Sequence, residues 1–242
     1  MTVKILVFNT SPHMDKGNTA LILNPFLDGM KESGAEVETV YTKKLKIGPC
    51  LGCFNCWLRT PGVCAQKDDM TAVLDKMRNV DIYVFATPVY FFNMSGWMKN
   101  LIDRMCPLFE SIMELRDGHC YHRLRDGYGG GKVVLVSNCG WWEADNFDPL
   151  VEYMQKLCDI MSWEYAGALV RPHGPALSAM LSMGAPVNDI FDAAREAGRQ
   201  LVQNGEMSAD TLATVSRELM PQDMYIQVAN QEHQKELDKR KK

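Results

Sequence analysis

The alternation of short apolar runs with longer helix-like segments is the feature that most constrains how this chain can fold. The runs Val3–Phe8, Ile82–Ala86 and Val133–Ser137 are almost wholly apolar, which is typical of strands buried on both faces of a parallel sheet. Segments of helical character, such as 18–32 and 147–161, lie between such runs. This order of elements predicts an α/β fold with a parallel sheet.

Two further strand-like runs, 36–41 and 165–170, bring the predicted strands to five. Five strands with this spacing are typical of a flavodoxin-like three-layer sandwich, in which the parallel strands take the order 2-1-3-4-5. Ligands bind such sheets at the carboxyl ends of the strands, where the strand order reverses. We therefore expect the functional residues in the loops after the first, third and fourth strands.

The connecting segments carry less regular patterns. They are predicted to be a loop at 48–67, a helix at 95–115 and a polar, Gly-rich loop at 117–131. Pro25 inside the first helix predicts a kink, since proline removes a helix hydrogen bond. Because no linker or repeat is evident, residues 1–242 are predicted to form a single domain with a C-terminal extension of two or three helices over about 186–242.

The charge and composition of the chain argue against several classes of partner. The net charge is −4 and Lys and Arg are dispersed, whereas nucleic-acid binding needs a clustered positive surface. No apolar stretch reaches the roughly 18 residues of a membrane span, and Met1–Asn9 lacks the features of a signal peptide. We therefore expect a cytoplasmic protein with no nucleic-acid or membrane partner, whose eight cysteines stay reduced.

The loop after the first strand is rich in groups that can donate hydrogen bonds to an anion. The hydroxyls of Ser11 and Thr19, the Asn18 amide and the free N–H groups of a helix start could all bind a phosphate. Gly17 allows the backbone to approach it closely. An ordinary helix N-cap at Asn18 or Thr19 is the alternative. The segment matches neither a P-loop nor a dinucleotide-binding glycine motif.

The loops after the third and fourth strands are rich in aromatic residues. Tyr90, Phe91 and Phe92 are consecutive, so they cannot all face one core, and at least one ring is expected to be exposed. Such a ring could contact a flat ligand such as isoalloxazine, or it could cover the next helix. Trp141 and Trp142 follow the fourth strand and offer either stacking faces or a subunit interface.

Together the three loops resemble the NAD(P)H-dependent FMN reductase and iron–sulfur flavoprotein family, over residues 3–172. The matching positions are Ser11, Pro12, Gly17, Asn18 and Thr19, then Pro88, Val89, Tyr90 and Phe91, then Cys139 and Gly140. Supporting matches are Lys99, Asp103, Arg104 and Asp68–Met70. The resemblance implies that Ser11, Gly17, Asn18 and Thr19 hold the FMN phosphate and that the other two loops embrace the isoalloxazine.

The same resemblance implies an FMN-dependent oxidoreductase that takes hydride from NADH or NADPH and passes electrons to flavin, quinone or another small acceptor. The cofactor carries this chemistry, so no side chain is assigned as a catalytic acid or base. FMN is expected rather than FAD, because no site for an adenosine half is apparent. A homodimer or tetramer is also implied, and exposed aromatic residues would suit a subunit boundary.

A cysteine-rich segment has the spacing C-x2-C-x2-C-x7-C over Cys50, Cys53, Cys56 and Cys64. Bacterial ferredoxin motifs begin in the same way, whereas structural zinc more often uses two separated C-x2-C pairs. The segment resembles the iron–sulfur flavoprotein motif, with a long final spacing, so these four are candidate [4Fe–4S] ligands. The remaining cysteines are predicted to be poor substitutes because they fall in helices, in a remote loop or at the flavin edge: Cys106, Cys120, Cys139 and Cys158.

Two alternatives for function stay open at this point. The protein could be an iron–sulfur electron carrier that is reduced by ferredoxin, or a non-redox metal-binding or interaction protein that uses the cysteine segment. A cysteine loop without a cluster, either thiol-active or redox-inactive, is compatible with the first interpretation as a flavin reductase.

Overall fold

The computed structural model describes residues 2–240 and contains a five-stranded parallel sheet. In chain order the strands are β1 (Lys4–Asn9), β2 (Glu36–Tyr41), β3 (Ile82–Pro88), β4 (Phe109–Arg116), β5 (His119–Leu124), β6 (Lys132–Asn138) and β7 (Glu164–Arg171). The sheet has the order β2-β1-β3-β6-β7 and all of its neighbouring strands are parallel. If only the five strands of this sheet are numbered in chain order, the strand order is 2-1-3-4-5, as predicted.

The remaining strands, β4 and β5, form an antiparallel hairpin where a helix and a loop were expected. The helix predicted over 95–115 is therefore wrong beyond Asp103, and the loop predicted over 117–131 is wrong at its start. Pro107 lies just after the helix, and Asp117 and Gly118 both have the positive φ of a tight hairpin turn. An Asp-Gly pair between strand-like runs is a known hairpin signal.

The helices are α1 (Asn18–Glu32), α2 (Asn55–Leu58), α3 (Met70–Lys76), α4 (Gly96–Asp103), α5 (Asp148–Met161), α6 (Gly174–Ser182), α7 (Asn188–Asn204), α8 (Ala209–Ser216) and α9 (Gln222–Arg240). α1 is assigned as one helix through Pro25, and α2 lies inside the predicted cysteine loop. Three helices fill the C-terminal extension, whose last two residues, Lys241 and Lys242, lie outside the described residues. None of the described helices is both long and apolar enough to span a bilayer.

Helices cover both faces of the sheet because alternate strand residues point to opposite sides. Leu6 and Phe8 of β1 belong to a core with buried residues of α3, α4 and α5. Ile5 and Val7 belong to a second core with buried residues of α1, α6, α7 and α8. The loops that follow β1, β3 and β6 meet at the carboxyl ends of these strands.

Candidate functional site

The three predicted loops are joined to one another by buried hydrogen bonds at the carboxyl edge of the sheet. The backbone N–H and the Oγ1 of Thr10 donate to the Ala86 carbonyl at 2.8 and 3.0 Å. Ser95 Oγ donates to the Thr10 carbonyl at 3.1 Å, and Val89 N–H donates to the Asn138 carbonyl at 2.8 Å. The ends of β1, β3 and β6 therefore form one connected surface where the strand order reverses.

The first loop forms a cradle around Ser11 and Gly17. Ser11 is buried, and its N–H donates to Asn9 Oδ1 at 3.0 Å. A Cβ on Gly17 would lie 2.8 Å from Ser11 Oγ and 3.0 Å from His13 Cβ, so the close approach requires glycine. Asn9 Nδ2 is buried without an acceptor among the described residues. A concave backbone next to a buried unused donor fits a bound anion.

Helix α1 begins at this cradle. Gly17 occupies the N-cap position and no side chain caps the helix, so the alternative of an N-cap at Asn18 or Thr19 is wrong. Uncapped N–H groups at a helix start are available to an anion. Thr19 is buried and its Oγ1 donates to Asn138 Oδ1 at 2.5 Å. Its hydroxyl therefore joins the first loop to the end of β6.

The second loop holds its aromatic rings in solvent by means of a strained turn. Pro88 is buried at the end of β3 and Val89 is half-buried, whereas Tyr90, Phe91 and Phe92 are exposed. Phe91 and Phe92 have φ of 48° and 62°, values that glycine or asparagine normally supply. Phe91 is 100% exposed, which confirms that at least one ring faces outward. Strain of this kind is often retained at functional sites.

The third loop places Trp141 opposite this turn. The Trp141 ring is 58% exposed and lies nearly parallel to Phe92, with centroids 6.4 Å apart and an interplanar angle of 10°. Cys139 is buried, its thiol donates to the Trp141 carbonyl at 3.5 Å, and burial raises its pKa. Gly140 is exposed beside it, while Trp142 Nε1 donates to a backbone carbonyl at 2.9 Å. Two loops thus present parallel aromatic faces.

Two buried residues that the sequence analysis missed support the third loop. His173 N–H donates to the Trp141 carbonyl at 2.7 Å, and burial together with the Arg171 charge lowers the pKa of His173 to about 4. Arg171 is fully buried and donates to the carbonyls of Val215 and Arg217 at 2.6 Å each. Arg171 is the last residue of β7, and a charged residue at the carboxyl end of an apolar strand-like run was the available signal.

A cavity of about 460 Å³ lies between the third loop and α9. Gly140, Trp141 and Trp142 form one wall, and Tyr225 and His233 of α9 form part of the other. The Tyr225 hydroxyl donates to the Gly140 carbonyl. The C-terminal extension therefore reaches the loop edge, although its sequence carries no recognisable motif.

The cysteine segment encloses a separate cavity of about 240 Å³ against the end of α4. Left-handed backbone at Gly52 and Phe54, with φ of 61° and 54°, folds the segment back on itself. Five cysteines line this cavity: Cys50, Cys53, Cys56, Cys64 and Cys106. Cys106 was predicted to be a poor substitute because it would fall in the helix over 95–115. That placement is wrong, because α4 ends at Asp103 and Cys106 begins a separate short 3₁₀ turn that lines the same cavity.

The cavity contains a buried cation as well as thiols. Arg104 forms a bidentate ion pair with Asp68, at 2.7 and 2.9 Å, and its Nη2 donates to Cys64 Sγ at 3.4 Å. Burial and the neighbouring Cys64 raise the pKa of Cys56, and burial raises that of Cys106 to about 11. Within residues 2–240, no three His, Cys, Asp or Glu side chains are gathered closely enough to ligate a single metal ion.

Comparison with solved structures supports the fold. An FMN-dependent NADH-azoreductase from Bacillus anthracis matches with a TM-score of 0.59 and 15% identity, over 84% of this chain and 100% of that one. An NAD(P)H:quinone oxidoreductase from Methanothermobacter marburgensis matches with a TM-score of 0.60 and 15% identity, over 83% of this chain and 96% of that one. At this level of identity the two structures share the fold with this chain.

Sequence comparison identifies the family. The family model described as NADPH-dependent FMN reductase matches residues 3–121. An iron–sulfur flavoprotein of Archaeoglobus fulgidus is 42% identical over 102 residues, which are 42% of this chain and about half, 48%, of that relative. An iron–sulfur flavoprotein of Methanocaldococcus jannaschii is 35% identical over 136 residues, which are 55% of this chain and 67% of that relative. The chain therefore belongs to the iron–sulfur flavoprotein family.

Proposed function

We propose that the protein is an FMN-dependent NAD(P)H oxidoreductase that passes electrons to a small acceptor such as a flavin or a quinone. The observation that carries the proposal is the uncapped start of α1 beside the Gly17 cradle, at the same edge as the parallel rings of Phe92 and Trp141. An anion and a flat ring are the two halves of FMN. When bound, FMN supplies hydride acceptance and electron delivery.

The residues of the chain bind and orient this cofactor. Ser11 Oγ, the Asn18 amide and the backbone N–H of Asn18 would hold the phosphate beside Gly17, and the buried Asn9 Nδ2 is a further donor. Thr19 would act indirectly, by joining the cradle to β6 through Asn138. No side chain is assigned to proton transfer.

The second and third loops would hold the isoalloxazine. Pro88 and Val89 lie at the base of the site, and Tyr90, Phe91, Cys139 and Gly140 surround it in this proposal. Phe91, fully exposed in one chain, is available to exclude water at the boundary with a second subunit. A homodimer or tetramer, and a cytoplasmic location in which the eight free thiols stay reduced, are parts of the same proposal.

A second candidate function adds a [4Fe–4S] cluster in the cysteine cavity. Cys50, Cys53, Cys56 and Cys64 line one cavity, and thiolates are the usual ligands of such clusters. When bound, the cluster supplies one-electron transfer, and the protein would then be an electron carrier that ferredoxin reduces. The named relatives of Archaeoglobus and Methanocaldococcus favour this candidate.

One anaerobic experiment separates these functions. The purified protein is reconstituted with FMN, and NADH, NADPH or reduced ferredoxin is added while the flavin absorbance is followed. Bleaching by NADH or NADPH supports the oxidoreductase, and bleaching by ferredoxin alone supports the electron carrier. Failure to bind FMN would contradict both and would leave a non-redox role for the cysteine segment.

A further inference from the structure

We propose that Arg104, held in place by Asp68, is a positioning residue that raises the reduction potential of a cluster bound in the cysteine cavity. It would act through Cys64, to which its guanidinium donates a hydrogen bond. The inference rests on the cluster-bearing form of the proposed function. It concerns a residue that contributes no ligand and that lies 40 positions from Cys64 in the chain.

Arg104 is fixed by acceptors on both sides of the cysteine segment. Its side chain is 1% exposed at the end of α4. Nη1 donates to the Gly48 carbonyl at 3.0 Å, just before the segment, and to Asp68 Oδ2 at 2.7 Å, just after it. Nη2 donates to Asp68 Oδ1 at 2.9 Å. A bidentate pair defines the plane of the guanidinium, and lysine cannot reproduce that geometry.

Two features place the Arg104 guanidinium next to a group that binds in the cysteine cavity. Arg104 lines the cavity wall, and Nη2 lies 3.4 Å from Cys64 Sγ. Its Nε–H is buried and finds no acceptor in the part of the chain that the structure describes. Buried donors normally have a partner, and this N–H is the one donor of the guanidinium that the described residues leave without an acceptor.

These contacts have a consequence for electron transfer that a purely structural role would lack. Reduction adds one negative charge to the contents of the cavity. Hydrogen bonds to cluster sulfurs and nearby charge are among the factors that set cluster potentials. A fixed cationic donor on Cys64 stabilises the reduced state more than the oxidised one. Asp68 offsets part of that charge, so the two side chains should shift the potential in opposite directions.

The test compares reconstituted wild type with Arg104→Gln, Arg104→Lys and Asp68→Asn. Iron, labile sulfide and FMN are assayed first, and the midpoint potential of the cluster is then measured by redox titration monitored by electron paramagnetic resonance. Lys76→Gln is the control, because it removes one positive charge from an exposed pair with Glu38. The potential of the bound FMN serves as an internal reference.

We expect Arg104→Gln to lower the equilibrium constant for one-electron reduction of the cluster at least tenfold, which is 59 mV. Arg104→Lys should give a smaller decrease, since it keeps the charge and loses the fork. Asp68→Asn should raise the potential, and Lys76→Gln should leave it unchanged. If Arg104→Gln does not fold, the opposite shifts of the other two variants still support the inference.

Two different results would overturn the inference. In the first, wild type binds iron and sulfide, but the equilibrium constants for one-electron reduction of the Arg104→Lys and Asp68→Asn clusters both stay within twofold of the wild-type constant. The inference then fails and the proposed cluster stands. If wild type binds no iron after reconstitution, the cluster-bearing function fails and the inference fails with it.

Discussion

The loop edge of the sheet and the cysteine cavity are built in different ways. At the loop edge, the groups proposed to bind the cofactor lie in the loop that follows a strand or at the start of the next helix, and several of them are backbone N–H groups. The cysteine cavity is assembled from the segment 50–64 together with Asp68, Arg104 and Cys106. The Arg104 contact with Gly48 spans 56 positions. Both sites join residues that are distant in the chain, but the residues of a site at strand ends can be located from the strands alone, whereas the partners of a loop site cannot.

The largest expected effect tests whether the two regions are independent. Cys53→Ser should remove the cluster, so that iron falls from about four per chain to none, because Cys53 lines the cavity. FMN content should stay unchanged. Cys120→Ser is the matched control, since Cys120 is an exposed residue of the hairpin and should retain all the iron. Loss of FMN together with iron would show that the two sites are not separate.

The next effect concerns the stability of the cysteine cavity. Arg104→Ala should lower the free energy of unfolding by about 3–5 kcal/mol, because removal of one partner leaves a largely buried carboxylate at Asp68 unpaired. Lys76→Ala breaks an exposed pair and should cost less than about 1 kcal/mol. Both are measured by denaturant unfolding of the metal-free protein. Equal losses in the two variants would mean that the buried pair does not anchor the cavity.

The stability of the loop edge should depend on pH through His173, which supports the third loop. The pKa of His173 is lowered to about 4, so between pH 6.5 and pH 4 the unfolded state binds more protons than the folded state. Stability should therefore fall as the pH decreases through this window, by at most about 3 kcal/mol at 1.36 kcal/mol per unit. His173→Gln should remove that part of the loss, whereas exposed His233→Gln should not. Identical acid profiles in all three proteins would refute the assignment.

The smallest expected effect is a change in FMN affinity, and it tests the cradle around Ser11 and Gly17. Gly17→Ala introduces a Cβ 2.8 Å from Ser11 Oγ and should weaken FMN binding about tenfold, or 1.4 kcal/mol. Gly96→Ala is the control, because no heavy atom lies within 4 Å of the added carbon. Binding is followed by quenching of flavin fluorescence. Equal affinity in both variants would count against a phosphate in this cradle.

Features that lie within one strand or one loop could be predicted from the sequence, whereas tertiary pairings could not. The five sheet strands were visible because each is a compact run with its own pattern, and the loops that follow them were located correctly. The hairpin 109–124 was missed because apolar residues near Phe109 were assigned to the preceding helix. Cys106 was dismissed for the same reason. Arg104 and Asp68 matched the family, but their pairing with Gly48 and Cys64 depends on tertiary contacts.

In the proposed function, the three loops bind FMN through its phosphate, independently of the cysteine cavity. The most direct measurement is a titration of metal-free wild type and Cys53→Ser with FMN, FAD and riboflavin. We expect one FMN per chain with equal affinity in both proteins. Riboflavin should bind at least tenfold more weakly, because it lacks the phosphate and its hydrogen bonds of about 1.5–3 kcal/mol each. Riboflavin or FAD binding as tightly as FMN would refute a phosphate site in these loops.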